Sequence, residues 1–469
     1  MSTKYQIAVI GAGVAGLSAA NYLASQGLQA VVYEKQKKIG GLCQSFDIQN
    51  IPIDIGPHIF SRKLIEDRLD NDSTQNQFIA RNFKEKLFLS NQFYDFPMGL
   101  LKSKYAVSLC AKFFINLLQK KPDSFESLES FSIYHFGHSF TRDFLQPTLE
   151  KWSHSPLTDL SANNFKLRIP ANNLETIWGL LTKYFQLHVL KQKQSLDYGY
   201  LSLNGAQGLP EQLTFNKNFN IHTQTQITGF HVKENQITAI TLANKEVIPV
   251  QSVISTIPLS QLGHFFLNND LNPEQAEWVH RMAQLPYLHL TLVNYLVKDK
   301  ATQTHIDAPW SWVAPRQFPF YRFSELRSQY FPYIPSGVKV ISFEITNESR
   351  KHIDDNNPIQ TILSFMHTHL NIQQKDILEE KIVNTPDAYP FFGQSVNETI
   401  GKYKHHQTIS ELHLKVGDHW GQAEGIHFST PFKNLYLAGR NATYSYFMAL
   451  DAFDSGKKAA MDFINSECP

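Results

Sequence analysis

Residues Ile7–Glu34 read IAVIGAGVAGLSAANYLASQGLQAVVYE: an apolar run, a glycine-rich turn, an alanine-rich helical pattern and a second apolar run that ends on a carboxylate. This order predicts a strand–helix–strand unit that binds a dinucleotide. In such a unit Gly11 allows the tight turn, Gly13 lets the backbone approach a pyrophosphate, and Gly16 lets the helix pack closely on the strand. The free N–H groups at the helix N-terminus then favour the phosphates.

The acidic residue at the end of the second run narrows the choice of nucleotide. Glu34 lies about 20 residues beyond the glycine turn, where its carboxylate can accept hydrogen bonds from both ribose hydroxyls. The carboxylate would repel a 2′-phosphate at the same place. The motif therefore predicts FAD or NAD rather than NADP.

Composition excludes several classes of protein. The chain has 469 residues, which is too long for one compact core, so two domains are expected. A net charge of +1 with 18% charged residues leaves no electrostatic footprint for nucleic acid. Aromatic residues make up 13% of the chain, which suits either a large lined cavity or phenylalanine-rich cores. The three cysteines lack the spacing of a metal site or a disulfide framework, so we expect a reducing, cytoplasmic location and no metal.

The sequence predicts neither a signal peptide nor a membrane span. No apolar run reaches the ~20 residues that a spanning helix needs. The nearest run, Tyr105–Leu118, is interrupted by Lys112 and is typical of an amphipathic helix. We expect this helix to pack in the substrate domain, and a patch on a membrane surface is the alternative.

Patterning along the chain predicts an α/β fold in which two domains interleave. We assign residues 1–85, 201–260 and 381–469 to a discontinuous Rossmann-like nucleotide-binding domain. Residues 86–200 and 261–380 are expected to form an inserted mixed α+β substrate domain. Short alternating strands are expected from about residue 221 to residue 250, and a buried strand followed by a helix is expected near the end of the chain.

Four further motifs follow the dinucleotide fingerprint: Lys38–Gly41, Asp54–Phe60, Ser255–Pro258 and Leu437–Arg440. Together they resemble the FAD-dependent clan that holds amine oxidases, protoporphyrinogen oxidases, phytoene desaturases and UDP-galactopyranose mutases. The resemblance covers nearly the whole chain and implies FAD as the cofactor. It also implies that the following residues bind the cofactor: Gly11, Gly13, Ala15, Gly16, Glu34, Lys35, Gly40, Gly41, Leu42, Gly56, Pro57, His58, Ile227, Thr256, Gly439 and Arg440.

Within this clan the chain resembles the mutase-like branch best. Glu150–Ser153 is similar to the mutase stretch that holds a substrate tryptophan, and Pro319–Glu325 is similar to a segment whose arginine meets the substrate diphosphate. The resemblance implies two catalytic and four substrate-binding side chains: His58 and Arg322, and Trp152, Tyr321, Tyr444 and Tyr446.

Two positions depart from the mutase pattern and weaken the case for a diphosphate substrate. In the mutase pattern that this chain resembles, arginine occupies the two positions where this chain has Asn172 and Ser445. Bidentate guanidinium groups hold a diphosphate best, so the loss of two of them removes affinity for it. A purely structural role is the alternative for each site residue, and for Arg322 it is a salt bridge with Glu325 or Glu344.

Two functions therefore stay open. The first is an FAD-dependent oxidoreductase that abstracts hydride from, or desaturates, a small and less anionic organic substrate. The second is a flavin-dependent nucleotide-sugar pyranose/furanose mutase, in which the reduced cofactor acts as a nucleophile. An oxidoreductase consumes an electron acceptor on every turnover, whereas a mutase needs only an initial reduction. The sequence is compatible with a homodimer.

Overall fold

The computed structural model describes most of the chain. The described ranges are 6–69, 77–83, 85–96, 98–118, 122, 125–162, 198–215, 218–347, 356–391, 393–394, 396, 404–405, 427–444 and 448–467. Three residues that carry sequence predictions, Asn172, Ser445 and Tyr446, lie outside these ranges.

The described strands are numbered in chain order. They are β1 Ile7–Ile10, β2 Ala30–Tyr33, β3 Ser45–Ile48, β4 Ile51–Asp54, β5 Phe78–Asn82, β6 Glu85–Leu89, β7 Gln92–Phe96, β8 Tyr198–Ser202, β9 Asn220–His222, β10 Ile227–Lys233, β11 Gln236–Leu242, β12 Val247–Pro249, β13 Ser252–Ser255, β14 Tyr287–Lys298, β15 Trp310–Val313, β16 Arg322–Leu326, β17 Val338–Asn347, β18 Ile377–Pro390, β19 Lys404–His405, β20 His427–Phe428 and β21 Leu435–Leu437.

The described α-helices are numbered in the same way. They are α1 Val14–Ser25, α2 Arg62–Asp67, α3 Ala106–Leu118, α4 Leu128–Phe140, α5 Gln146–Ser153, α6 Gly208–Thr214, α7 Leu259–His264, α8 Pro273–Ala283, α9 Asn356–Leu370, α10 Arg440–Thr443 and α11 Ala449–Glu467. None of the helices in the described ranges is both long enough and apolar enough to cross a membrane.

Five parallel strands form the sheet that carries the nucleotide fingerprint, in the order β21-β13-β1-β2-β9. Side chains alternate across the sheet, so β1 contributes to two cores. Val9 packs in one core with α1 and α11, and Ile10 packs in another with α7 and α8. Both faces are thus covered, which explains why β1 and β13 are buried at every position.

A second, seven-stranded sheet is mixed and has the order β18-β14-β17-β16-β15-β6-β7. Its strands pair antiparallel except for β15 with β6, which pair parallel. The central strands β14 and β17 are buried along almost their whole length. The helices α3, α4 and α5 contribute to the apolar core on one face of this sheet.

The expected fold class, a parallel α/β sheet with an inserted mixed α+β region, is confirmed. Strands β10, β11 and β12 reproduce the short alternating strands expected there and form a three-stranded antiparallel sheet. The second sheet begins at Glu85 and takes in β18 as far as Pro390. The domain boundaries assigned from the sequence stay predictions. The seven-stranded sheet, called the substrate-side sheet below, extends past residue 381 through β18.

Helix α1 lies against α11 with almost no space between the two backbones. A Cβ atom added to Gly456 of α11 would lie 2.0 Å from the carbonyl oxygen of Ala15 in α1. Ser18 Oγ donates a hydrogen bond to the Phe453 carbonyl at 2.7 Å and reinforces the same contact. Because α1 begins at the glycine turn, the position of this turn depends on α11.

We predict that Gly456→Ala lowers the free energy of unfolding by ~1–3 kcal/mol, because the added methyl group overpacks a backbone contact. Urea unfolding of the FAD-loaded protein measures the change. Gly229→Ala is the matched control, since a Cβ there would meet its nearest atom at 3.7 Å, an ordinary contact. Equal stability of the two variants would contradict the close approach.

Candidate functional site

The glycine turn and the start of α1 form a cradle of backbone groups. Gly11 has φ +97°, a conformation that favours glycine, and its N–H donates to the Tyr33 carbonyl at 2.9 Å. Gly13 is the N-cap of α1 and forms an isolated parallel bridge with Gly40. Gly41 stands close by, since a Cβ added to it would lie 3.3 Å from the Gly13 Cα. Uncapped N–H groups at this helix end suit a pyrophosphate.

Glu34 stands where β2 ends and holds the turn in place. Its carboxylate is 7% exposed and accepts hydrogen bonds from the N–H groups of Ala12 and Gln36, both at 2.8 Å. A carboxylate at this strand end, next to the pyrophosphate cradle, is the group that a nucleotide ribose requires. The donor and acceptor chemistry of the turn therefore fits FAD.

The C-terminal segment reaches the same edge of the parallel sheet. Thr256 follows β13, and its hydroxyl donates to the Ile10 carbonyl at 2.9 Å. Gly439 follows β21, and a Cβ added there would lie 3.1 Å from the Cβ of Ala15. Asn441 donates to the Thr256 carbonyl at 2.8 Å and ties the two segments together. The structure thus brings Gly11, Gly13, Gly16, Glu34, Thr256 and Gly439 together.

Other residues in the predicted cofactor set make mainly protein contacts. The Lys35 ammonium lies 3.3 Å from Gln261 Oε1 near the surface, and Ile227 is buried in the core around β10. Leu42 packs against the core of the substrate-side sheet. Cys43 is a buried free thiol, and burial raises its pKa to about 12. The cofactor roles of Lys35, Leu42 and Ile227 stay predictions.

His58 is held by its own turn and is neutral near pH 7. Its Nδ1 lies 2.8 Å from the Gly56 carbonyl oxygen, which can only accept, so Nδ1 carries the proton. Burial lowers the pKa of His58, while the nearby Asp54 carboxylate opposes this shift. A neutral imidazole protonated on Nδ1 keeps a lone pair on Nε2.

Arg322 lies beside this turn and is paired with a carboxylate. It stands directly opposite Glu344 in the register of β16 and β17. The pair is bidentate, with Nε at 2.5 Å from Oε1 and Nη2 at 2.8 Å from Oε2. The Tyr321 hydroxyl donates to the same Oε2 at 2.7 Å. A Cβ added to Gly56 would lie 3.4 Å from Arg322 Nη2, so the pair adjoins the His58 turn.

Aromatic rings lie beside this ion pair and in the apolar core next to it. The guanidinium carbon of Arg322 lies 5.3 Å from the ring centroid of Trp312. Tyr389 packs edge-on against Trp152 at 5.4 Å between centroids, and the guanidinium carbon of Arg440 lies 5.0 Å from the Tyr389 ring. Arg440 also donates to the Ala388 carbonyl. Trp152 and Tyr321 belong to one apolar core.

Lys151 fixes the helix that carries Trp152. Its ammonium donates to the carbonyls of Val313, Pro315 and Phe320 at 2.6, 3.2 and 3.0 Å. Burial lowers the pKa of Lys151 to about 7, and Arg316 adds to this shift. These bonds attach α5 to the segment between β15 and β16, next to Tyr321.

Tyr444 stands somewhat apart from the cluster around Arg322. Its hydroxyl donates to the Pro286 carbonyl, and its ring packs edge-on against Tyr287 at 5.5 Å. The Tyr287 hydroxyl in turn donates to Asn441 Oδ1 at 2.8 Å. Tyr444 therefore ties the C-terminal segment to β14, and its substrate-binding role stays a prediction, as does that of Tyr446 outside the described residues.

The sequence reasoning missed Trp312, Tyr389 and Asn441. Asn441 directly follows the Gly439–Arg440 motif, so its place in the chain was a usable signal. Tyr389 lies in a strand far along the chain from Trp152 and Arg440, which it contacts, and no local pattern distinguishes Trp312 or Tyr389 from core aromatic residues.

Comparison with known proteins identifies the family of this chain. A family model described as flavin containing amine oxidoreductase matches residues 14–464. The chain belongs to the flavin-containing amine oxidoreductase family. FAD is therefore its cofactor, and the residues at the glycine turn, at Glu34 and after β13 and β21 are those that would hold it. This confirms the cofactor and the clan expected from the sequence.

Curated relatives match only part of this flavoenzyme. The mitochondrial protoporphyrinogen oxidase of Nicotiana tabacum is 31% identical over 167 residues, which is 31% of this chain and 32% of that protein. A 4,4'-diapophytoene desaturase of Staphylococcus haemolyticus (strain JCSC1435) is 45% identical over 53 residues, which is 11% of each protein. The chain thus spans about a third or less of the lengths of these relatives.

A solved structure extends the likeness in fold to the whole flavoenzyme. The crystal structure of a reduced UDP-galactopyranose mutase superposes with a TM-score of 0.76 at 18% identity, covering 99% of this chain and 96% of that one. At this identity the likeness shows the fold alone.

We predict that Glu34→Gln weakens FAD binding roughly 10- to 100-fold, because a charged hydrogen bond contributes ~1.5–3 kcal/mol. Titration of the flavin-free protein with FAD, followed by flavin fluorescence, measures the dissociation constant. Glu234→Gln is the control, since that side chain is 85% exposed in a turn. An unchanged dissociation constant for Glu34→Gln would remove Glu34 from the cofactor site.

Proposed function

We propose that this flavoenzyme oxidises an uncharged, largely apolar organic substrate by removing a hydride, with desaturation as the favoured outcome. The observation that carries the proposal is the bidentate pairing of Arg322 with Glu344. This pairing cancels the positive charge that a diphosphate would need. The neighbouring aromatic rings favour an apolar molecule.

The chemistry of such a reaction needs few ionisable groups from the protein. When bound, FAD supplies the acceptor for the hydride. His58, neutral and with a lone pair on Nε2, takes the proton lost from the neighbouring atom of the substrate. The rings of Trp152, Tyr321 and Tyr389 exclude water and orient the substrate. The hydrogen bonds of Lys151 hold α5 and Trp152 in place.

The mutase reaction remains the second candidate, and one observation favours it. Arg322 and Tyr321 lie together beside the His58 turn, as a site for a nucleotide-sugar diphosphate would require. The mutase reaction would require Arg322 to leave Glu344 and bind the substrate, and separating this buried ion pair costs free energy. For this reason we rank the mutase below the oxidoreductase.

We expect apolar compounds with an oxidisable C–H bond to bleach the flavin when air is excluded. A panel of polyenes and other uncharged apolar compounds, with UDP-galactopyranose as the comparison, is mixed with oxidised enzyme and followed by flavin absorbance. The rate should fall as the pH drops below the lowered pKa of His58, because the protonated imidazole cannot accept a proton. An isomer of UDP-galactopyranose, formed only by chemically reduced enzyme, would establish the mutase instead.

We predict that Glu344→Gln gives the site affinity for anions. With its charge uncompensated, Arg322 should make UDP an inhibitor of flavin reduction at least roughly tenfold more potent than in the parent enzyme. Inhibition constants measured with the substrate found above check this prediction.

Glu325→Gln is the matched control for that variant. Glu325 forms a buried ion pair with Lys339 at 2.7 Å, and alternation along β16 directs it to the opposite face from Arg322. Both variants should lose stability, because each breaks a buried pair. A similar gain in UDP affinity in both variants would show that Glu344 does not govern the charge of the site.

A further inference from the structure

Helix α3 directs large apolar side chains into solvent. The exposed fractions of Val107, Phe114, Ile115 and Leu118 are 81%, 61%, 44% and 89%. Val107, Phe114 and Leu118 follow one another at intervals of seven and four residues, which places them along one side of a helix. Cys110 is exposed on the same side, between Val107 and Phe114. We call these five residues the α3 stripe.

The opposite side of α3 is attached to the protein. Leu109 packs against the apolar core of the substrate-side sheet. Asn116 donates a side-chain hydrogen bond to the Tyr134 carbonyl of α4 at 2.9 Å, and the Lys112 ammonium lies 5.4 Å from the Tyr134 ring centroid. The helix is therefore held in place with its α3 stripe outward, and a polar outer face would have served this packing equally well.

Positive charge lies next to the N-terminal end of the α3 stripe. From Phe96 to Leu118 the chain has three lysines and no acidic residue, although the net charge of the whole chain is only +1. Lys102 and Lys104 are exposed just before the helix begins.

A surface depression of about 370 Å³ adjoins this end of α3, and its lining includes Lys104, Arg142 and Arg316. Asp143, also in the lining, pairs with Arg142 at 2.7 Å and with Lys104 at 3.6 Å. Arg316 pairs with Glu150 at 2.6 Å. Three cations are paired with two carboxylates, so the depression keeps a small net positive charge.

We propose that the α3 stripe docks this protein on an anionic phospholipid bilayer. The apolar side chains enter the boundary between headgroups and acyl chains, as in helices that lie in the membrane plane. Lys102, Lys104 and Arg142 contact the headgroup phosphates, because basic side chains are attracted to an anionic leaflet. Docking of this kind needs both an apolar stripe and neighbouring basic side chains, and this surface has both.

A second copy of the chain is a poorer occupant of the same surface. A stable protein interface buries about 800 Å² on each partner. The outer side of the 13-residue α3 is roughly 20 Å long and 10 Å wide, about a quarter of that area.

The docking surface stands apart from the proposed reaction, since the two rest on different residues. The α3 helix nevertheless packs on the apolar core that also holds Trp152 and Tyr321. Docking through α3 would therefore bring the substrate domain to the bilayer, where apolar compounds dissolve.

Flotation of the FAD-loaded enzyme with vesicles tests the proposal. We expect it to bind vesicles of equal parts phosphatidylglycerol and phosphatidylcholine, and to bind pure phosphatidylcholine at least roughly tenfold more weakly. A variant with Phe114→Ser and Leu118→Ser should lose at least roughly tenfold in binding to the anionic vesicles. The control carries Leu267→Ser and Leu378→Ser, two exposed leucines elsewhere, and should bind like the parent.

Three results would overturn the proposal: no binding to anionic vesicles, equal binding by the α3 variant and the control, or a dimer in solution that only the α3 variant dissociates. Because all four substituted side chains are exposed, flavin absorbance should be unchanged in both variants. A second measurement keeps the four apolar side chains of the stripe unchanged. An environment-sensitive dye on Cys110, with Cys468→Ser, should shift to the blue on anionic vesicles, and an unshifted dye would also contradict docking.

Discussion

Two contacts between backbones at α1 leave no room for a side chain, and the nucleotide site depends on them. A Cβ atom added to Gly16 would lie 2.0 Å from the Gly11 carbonyl oxygen, and one added to Gly456 would lie 2.0 Å from that of Ala15. The turn, α1 and α11 are thereby fixed against one another. The N-terminus of α1 consequently points at the edge where Glu34, after β2, also lies.

The second sheet places charge and aromatic surface next to that nucleotide edge. Arg322 and Glu344 are cross-strand neighbours, so the pairing of β16 with β17 brings the two charges together. The Tyr321 hydroxyl adds a hydrogen bond to the same carboxylate, which further satisfies its buried oxygens. A site with balanced charge and aromatic walls discriminates against anions without any repulsive group.

The same substrate domain presents an apolar stripe and basic side chains to its surroundings through α3. Substrate chemistry and surface chemistry thus agree: an apolar compound is found in a bilayer, and an apolar helix face is stable there. The two proposals rest on different residues, so neither depends on the other.

Local sequence was sufficient for the nucleotide fingerprint, because the strand, turn, helix and acid are contiguous and each has its own pattern of residues. It was also sufficient for the fold class and for naming Glu344 among the partners of Arg322. Only the tertiary structure identifies Glu344, and not Glu325, as the ion-pair partner of Arg322, because strand register decides which carboxylate stands opposite the arginine. It also decided that α3 faces solvent with its apolar stripe, since helical periodicity identifies an apolar side and only packing determines what that side meets.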